Sequence, residues 1–510
     1  MNTKLLKQKI LDLAIRGKLT QQLKSDGTAA DLLKEICDRT QEKTSLRAKR
    51  GNPSPQTIIP LDKSEAPFEI PANWEWVRLG DVASDFQYGS AEKSQPEGKI
   101  AVLRMGNINR QGQVDYSDLV YTSNDAEIAK YLLNKNDVLF NRTNSPEWVG
   151  KTAIYKGEIP AIYAGYIIRI KPHFNSDYLN YLMCSDYERN WSKEVKTDGV
   201  HQSNINAQKL MAFAVPLPPL AEQQRIVEKI QEAFTEIDAI EKNKELLKTH
   251  IKQTRQKILD LAIHGKLVPQ NKSDEPASVL LERITRDNPH YEKMGLDERR
   301  ETKDERGFKD KCHSREGGNL PPMLSKDEVP FEIPENWCWC RLGDICNKLI
   351  DGDHNPPKGL DYVTKYMMLS SRNINDNDIV DLENVRYLSK EMFEEENQRT
   401  KLEEGDILFT SVGSLGRSCV FSGDGKYCFQ RSVSVIHTNI YNKYLKYFFD
   451  SNYYQKYIVE NATGTAQLGF YLEQMRKSFI AIPPLNEQFR IVAKIEELFS
   501  TLDQMERNLV

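Results

Sequence analysis

A chain that carries the same landmarks twice, in the same order, is constrained to build two similar modules before any single residue is interpreted. Gln8-Lys-Ile-Leu-Asp-Leu-Ala-Ile-Arg-Gly-Lys-Leu19 returns as Gln256-Lys-Ile-Leu-Asp-Leu-Ala-Ile-His-Gly-Lys-Leu267, with one change. Pro67-Phe-Glu-Ile-Pro-Ala-Asn-Trp-Glu-Trp-Val-Arg-Leu-Gly-Asp81 returns as Pro330-Phe-Glu-Ile-Pro-Glu-Asn-Trp-Cys-Trp-Cys-Arg-Leu-Gly-Asp344. Asn136-Asp-Val-Leu-Phe140 returns as Gly405-Asp-Ile-Leu-Phe409, and Pro218-Pro-Leu-Ala-Glu-Gln-Gln-Arg-Ile-Val-Glu-Lys-Ile230 as Pro483-Pro-Leu-Asn-Glu-Gln-Phe-Arg-Ile-Val-Ala-Lys-Ile495. The register shift grows from 248 residues at the first pair to 263 at the second, so the second copy holds 15 extra residues. They fall in the charged stretch Asp304 to Leu320, which lacks apolar periodicity and reads as a solvated linker.

The middle of the chain predicts one long helix. From Glu222 to Gly265 there is no interior proline or glycine, Pro218-Pro219 precede it and Gly265 closes it. Ile226, Ile230, Ala233, Ile237, Ile240, Leu247, Ile251, Ile258 and Leu261 follow steps of four and three, a heptad seam. At 1.5 Å per residue such a helix is roughly 65 Å long. Ile491, Ile495, Leu498, Leu502 and Met505 repeat the first part of the seam, while Leu6, Ile10 and Leu13 repeat the last part. The repeat therefore closes circularly, which predicts a pseudo-two-fold arrangement with two seams pairing antiparallel.

Between the landmarks, Ile100 to Leu103, Tyr163 to Ile170 and Val433 to Ile436 read as strands and Tyr178 to Val195 as a helix. The expected fold class is α+β: two similar strand-rich α/β domains joined by long antiparallel coiled-coil helices, with circularly permuted symmetry. Expected boundaries are 1–60 for an N-terminal helical segment and linker, 61–217 for the first domain and 218–275 for the central helix. A charged linker at 276–327, the second domain at 328–482 and a C-terminal helix at 483–510 complete the chain.

Composition excludes several classes. With 39% hydrophobic and 28% charged residues the chain is neither fibrous nor disordered. Its longest apolar runs, such as Ala212 to Val215, are far below the roughly 20 residues that span a bilayer. Met1 to Ile15 has no signal-peptide pattern, so a cytoplasmic protein is expected, with no membrane partner. Lys and Arg number 70 against 74 Asp and Glu, so any phosphate contact must come from local patches rather than bulk charge.

The repeat also serves as a control for chemistry, because a site needed in both modules survives in both copies. Cys338, Cys340 and Cys346, with His354 downstream, suggest zinc, yet the cysteines align with Glu75, Val77 and Ala83, which favours structural cysteines; no metal is expected. Gly150-Lys151-Thr152 lacks the upstream glycine of a phosphate loop, and its counterpart is Gly416-Arg417-Ser418, so a turn is expected. Asn355-Pro356-Pro357 is followed by Lys358 rather than an aromatic residue, and no glycine-rich cofactor loop is present, so no methyl transfer is expected of this chain. No catalytic residue is assigned.

Two divergent modules, each opening near Pro-x-Asn-Trp and closing with Pro-Pro-Leu-x-Glu-Gln-x-Arg-Ile-Val-x-Lys-Ile into a helix, resemble the specificity subunits of type I restriction-modification enzymes. The resemblance covers nearly the whole chain and departs from it only in the extra linker. It implies two target-recognition domains, each reading one half of a bipartite double-stranded DNA target, with helices that fix the gap between halves. It implies two methyltransferase subunits docked on the chain and restriction-translocase subunits completing the complex. S-adenosylmethionine, ATP and Mg belong to those partners, and this chain holds no cofactor.

Candidate DNA contacts are polar residues on loops beside the aligned landmarks. In the first domain they are Tyr88, Ser90, Arg104, Asn107, Asn141, Arg142, Asn144, Lys151, His201 and Gln202. In the second they are His354, Lys358, Arg372, Asn373, Ser411, Ser414, Arg417, Gln430, Arg431, Thr465 and Gln467. Asn107 and Asn373 align and fit a structural turn equally well. Spacer positions are Ile226, Ile230, Ile237, Ile240, Leu247, Ile251, Ile258, Leu261, Ile491, Ile495, Leu498, Leu502, Ile10 and Leu13. Two other readings remain open at this point: the recognition subunit of a restriction enzyme that cuts both sides of its site, and a protein-interaction scaffold that binds no DNA.

Overall fold

The computed structural model describes residues 2–47, 58–200, 202–287, 329–464 and 467–509. The linker expected at Asp304 to Leu320 lies outside them. The chain forms two compact units, Met1–Lys244 and Glu245–Val510, and the division falls inside the central helix, Leu220–Ile263.

In the first unit a four-stranded antiparallel sheet runs in the order Ala83–Tyr88, Ile167–Pro172, Val138–Asn141, Thr152–Ile154. A second sheet pairs Ile100–Leu103 antiparallel with Val120–Thr122 and parallel with Ala161–Tyr163. Val138, Leu139 and Phe140 are all buried because this sheet is covered on both faces. Val138 and Phe140 meet the helices, while Leu139 meets the second sheet. The opening strand Glu75–Arg78 pairs with the closing strand Ala214–Leu217, which brings the two ends of the domain together.

The second unit repeats each part. Cys346–Asp351, Val433–Thr438, Ile407–Thr410 and Ser418–Val420 form the four-stranded sheet. Tyr366–Leu369 lies between Arg386–Leu388 and Lys426–Phe429, and Cys338–Arg341 pairs with Phe479–Ile482.

Each unit carries its own helix pair. In the first, Lys7 of helix Thr3–Ile15 bonds Asp238, and Thr3 donates to Glu241, so the contacts run antiparallel along the central helix. Lys7 Nζ also lies 5.4 Å from the Phe234 ring centre. In the second, Arg255 bonds Asp503 and lies 5.0 Å from the Phe499 ring, the same pair one repeat later, on helix Leu485–Asn508. Of the expected seam, Ile226, Ile230, Ile237, Ile251, Ile258, Ile491, Ile495 and Leu502 are buried, and Ile10, Leu13, Leu261 and Leu498 are half-buried.

Several expectations need correction. Tyr163 to Ile170 is the end of strand Ala161–Tyr163 and the start of strand Ile167–Pro172. The central helix ends at Ile263, before Gly265, rather than at 275. Ile240 and Leu247 are exposed at 47% and 41% rather than packed in a seam, because the partner helix of the first unit starts opposite Glu241 and Leu247 lies beyond the Arg255 contacts. Met505 and Leu6 are exposed as well. Tyr178 to Val195 is two helices, Ser176–Met183 and Asp186–Val195, since Ser185 leaves the first turn and caps the second through Glu188 N. The stretch expected as charged linker from 276 begins with helix Ala277–Asp287, whose Leu280, Leu281 and Ile284 are buried in the second unit's core; their helical spacing was available in the sequence.

Candidate nucleic-acid interface

The repeated landmarks turn out to form a clasp inside each unit. Trp74 Nε1 donates to buried Glu222 at 2.8 Å, and Gln22 Nε2 donates to its other oxygen at 2.6 Å. Gln223 accepts from Asn175 N and donates to the Pro218 carbonyl, and Arg225 pairs with nearly buried Asp26 at 2.6 Å. In the second unit Glu487 accepts from Gln270 at 2.6 Å, Gln488 takes Tyr441 N and the Pro483 carbonyl, and Arg490 pairs with Asp274. Gly17 and Gly265, both at φ +66°, end their helices with Lys18 N and Lys266 N bonded back to Leu13 and Leu261, as a left-handed cap requires.

The candidate contacts lie elsewhere, at one end of each four-stranded sheet. In the first unit Tyr88, Asn141 and the turn before Ile167 end adjacent strands at the same edge. Arg142 N donates to the Tyr166 carbonyl, Ser90 N to the Tyr163 carbonyl, and Gly150 N to the Asn141 carbonyl. In the second unit Ser411 N donates to the Ser432 carbonyl, Asp353 N to Phe429 and Gly416 N to Thr410, which fixes the equivalence of the two loop ends position by position.

Several of these side chains are already committed to the module. Ser90 is buried on Glu127. Asn107 bonds the Asp115 and Asp118 carbonyls, Asn373 bonds those of Val380 and Asp381, and both are buried turn residues. Lys151 holds the Met105 and Ile108 carbonyls at 3.0 and 2.6 Å, and burial lowers its pKa. Ser411 is buried against Ser434, and Asn141 is fully buried, though neither atom of its amide has a hydrogen-bond partner among the described residues. Arg104 pairs with Asp118 at 2.8 Å and Asn144 receives Ser145 N, whereas Ser414 is held only by its backbone carbonyl, which accepts from Thr410, and its side chain is half-buried.

Outward-facing candidates are fewer: in the first unit Gln202 is exposed, whereas Arg142 is half-buried, stacked 4.6 Å from the Tyr88 ring with Nη1 on the Gly165 carbonyl. In the second they are Lys358, Arg372, Arg417, Arg431 and Gln467, with Gln430 half-buried and His354 bonded to Asp351. His201 and Thr465 lie outside the described residues. Residues that the sequence reading missed sit beside them: Trp148 and Tyr166 are 44% and 48% exposed, and Arg110 stacks 4.7 Å from the Trp148 ring. Their signal was a lone large aromatic inside a polar loop. By the equivalences above, Tyr88, Arg110, Arg142, Trp148 and Tyr166 correspond to Asp351, Asp376, Ser411, Ser414 and Ser432.

Among the described residues one group offers three metal-capable side chains, Glu403, Asp406 and His437. Both oxygens of buried Asp406 are taken, by His437 Nδ1 at 2.7 Å and Lys348 Nζ at 2.8 Å. The first unit places Lys171 on Asp85 at 3.0 Å in the matching strands, so the group is an ion-pair network with its charges redistributed between copies.

The loop that carries Trp148 rests on a buried acid. A Cβ at Gly150 would lie 2.7 Å from Glu188 Oε1, and Glu188 bonds Ser192. Burial pushes the Glu188 carboxyl up to about 8, from an ordinary ~4.3. Its contribution to stability is complete below the ordinary value and is lost as pH rises through the folded one. Glu188→Gln is expected to remove that dependence. Calorimetry at about pH 5 and about pH 8.5 should find a smaller fall in the melting temperature of the first unit in the variant than in the unsubstituted chain.

The model of the "Type I restriction modification DNA specificity domain" family matches residues 71–249 and again 334–509, one match per set of landmarks. The chain belongs to the type I restriction-modification DNA specificity family. Two specificity domains in one chain make it a DNA-recognition subunit. It is similar to the type I restriction enzyme EcoEI specificity subunit of Escherichia coli, 25% identical over 579 residues that cover 99% of this chain and 90% of that one. The EcoAI specificity subunit of the same organism is 28% identical over 394 residues, 68% of this chain and 63% of that one. A solved chain of a type I R-M system, 16% identical, superposes with a TM-score of 0.51 over 87% of this chain and 94% of that one, a likeness of fold. Among the described residues no helix is long and apolar enough to cross a membrane.

Proposed function

We propose that the chain reads a bipartite double-stranded DNA target, one half with the loop end of each unit, within a type I complex. Two methyltransferase subunits and restriction-translocase subunits are its partners, and S-adenosylmethionine, ATP and Mg are held by them. The central helix sets the unread gap. One observation carries this reading: the clasp is repeated almost residue for residue, whereas the loops at the sheet ends differ at nearly every outward position. A shared frame with divergent tips is what two readers of unlike sequences require, since readout lives in side chains that meet base edges and phosphates.

The test is to express the chain with its methyltransferase subunits and map methylated adenines. A split motif is expected. Arg142→Ala with Gln202→Ala in the first unit alters one half of that motif and leaves the other intact. Methylation without a split motif sinks the reading, and a change in both halves sinks the assignment of one unit to one half.

A further inference from the structure

The two loop ends differ in kind as well as in sequence. Of the six tryptophans, Trp74, Trp76 and Trp337 are buried and Trp191 and Trp339 half-buried, while Trp148 alone is exposed, at the loop end of the first unit. It does not hang free. Val149 beside it is buried in the core, Trp148 N is bonded to the Ser145 carbonyl, and the Arg110 guanidinium stacks on the ring. Tyr88 is held in the same way by Arg142, whose backbone in turn holds the Tyr166 carbonyl. Two rings, Trp148 and Tyr88, are thus positioned before any ligand arrives, and Tyr166, 48% exposed, sits on the turn whose backbone Arg142 holds.

The second unit has serine or aspartate at every equivalent position. Its exposed arginines, Arg372, Arg417 and Arg431, have no ring beneath them among the described residues, and its exposed rings Tyr362 and Tyr471 are held by no cation among them. An intact duplex offers base edges and phosphates, for which arginine, serine and glutamine suffice. In an intact duplex a ring reaches no more than a thymine methyl, and it meets a base face only where a base step is opened, because base faces are otherwise covered by their neighbours. Holding the rings ready lowers the ordering cost of that contact.

We infer that the first unit packs Trp148, with Tyr88 and Tyr166, against an unstacked base step in its half of the target, while the second unit reads an undistorted duplex. This rests on the proposed reading of a split DNA target and adds how one half is read. Trp148 is the specificity residue, and Arg110 and Arg142 position the rings.

The experiment measures binding of the full chain, assembled with its methyltransferase subunits, to duplexes bearing its own split motif. Single mismatches are placed in either half, away from the methylated adenines. A protein that opens a step binds more tightly where the step is already weakened. Mismatch in the half read by the first unit is expected to tighten binding several-fold, and mismatch in the other half not at all. Trp148→Ala abolishes that gain and weakens binding to the matched target on the order of tenfold, and Trp148→Phe restores most of both. Equal gains in both halves, or a gain that survives Trp148→Ala, overturns the inference. Those outcomes leave the split motif in place, whereas loss of the motif itself would strike the underlying reading.

Discussion

Glu222→Ala is expected to lower the stability of the first unit by about 3 kcal/mol, because each buried donor left unpaired costs about 1–3 kcal/mol. One buried donor, Trp74 Nε1, is stranded outright, while the exposed Gln22 amide and the Thr20 hydroxyl lose their bonds to the same carboxylate, and these bonds reach across most of the unit's sequence. For a domain of this size the loss lowers the melting temperature by roughly 10 °C. A double-mutant cycle sharpens the result. Adding Trp74→Phe removes the stranded donor, so the pair of changes costs about 1 to 2 kcal/mol less than the sum of the two alone. Glu487→Ala is expected to cost the second unit less, since Gln270 loses its acceptor but Trp337 Nε1 has no hydrogen-bond partner among the described residues to lose. Strict additivity in the cycle would mean that the clasp contributes nothing as a unit.

Gly17→Ala and Gly265→Ala are expected to cost about 3 kcal/mol each, in separate units. A residue with a Cβ at φ near +66° is strained by about 1 kcal/mol. The added carbon would also lie 2.3 Å from Pro71 Cγ in the first unit and 2.4 Å from Pro334 Cγ in the second, with a tryptophan ring 3.2 Å away in both. Overpacking of that kind costs a further 1–3 kcal/mol or so. Gly405→Ala separates the two causes. Its φ is +89° but no atom lies within 4 Å of the new Cβ, so only the backbone cost of about 1 kcal/mol remains. Denaturant midpoints check all three, and a Gly405→Ala loss as large as that at Gly17 would show that packing against Pro71 is immaterial.

These predictions concern residues that the repeat displayed in plain view and whose work it did not reveal. Glu222 and Gln223 read as the start of a helix, and their bonding to Trp74, Gln22 and Asn175 follows only when segments some 50 to 200 residues away are brought alongside. Gly17 and Gly265 read as helix stops, which they are, but the proline that makes each indispensable comes from a distant turn. At the loop ends the regions were legible and the individual roles were not. Lys151, Asn107 and Asn373 are polar and flank landmarks, yet all three are spent on backbone carbonyls within the module. Gln202, Lys358, Arg372, Arg417, Arg431 and Gln467 do face out, and so do Trp148 and Tyr166, which a choice of polar loop residues leaves aside.

By itself the sequence determined the doubling of the chain, the long central helix and the place of the strands, since each follows from periodicity, helix signals or identity between copies. Tertiary structure alone decided which polar side chains are satisfied and which remain free, and where the apolar seam stops being covered. The physical reason is that a hydrogen bond or a buried face is a relation between two partners. Local pattern names one partner, and only the folded chain supplies the other.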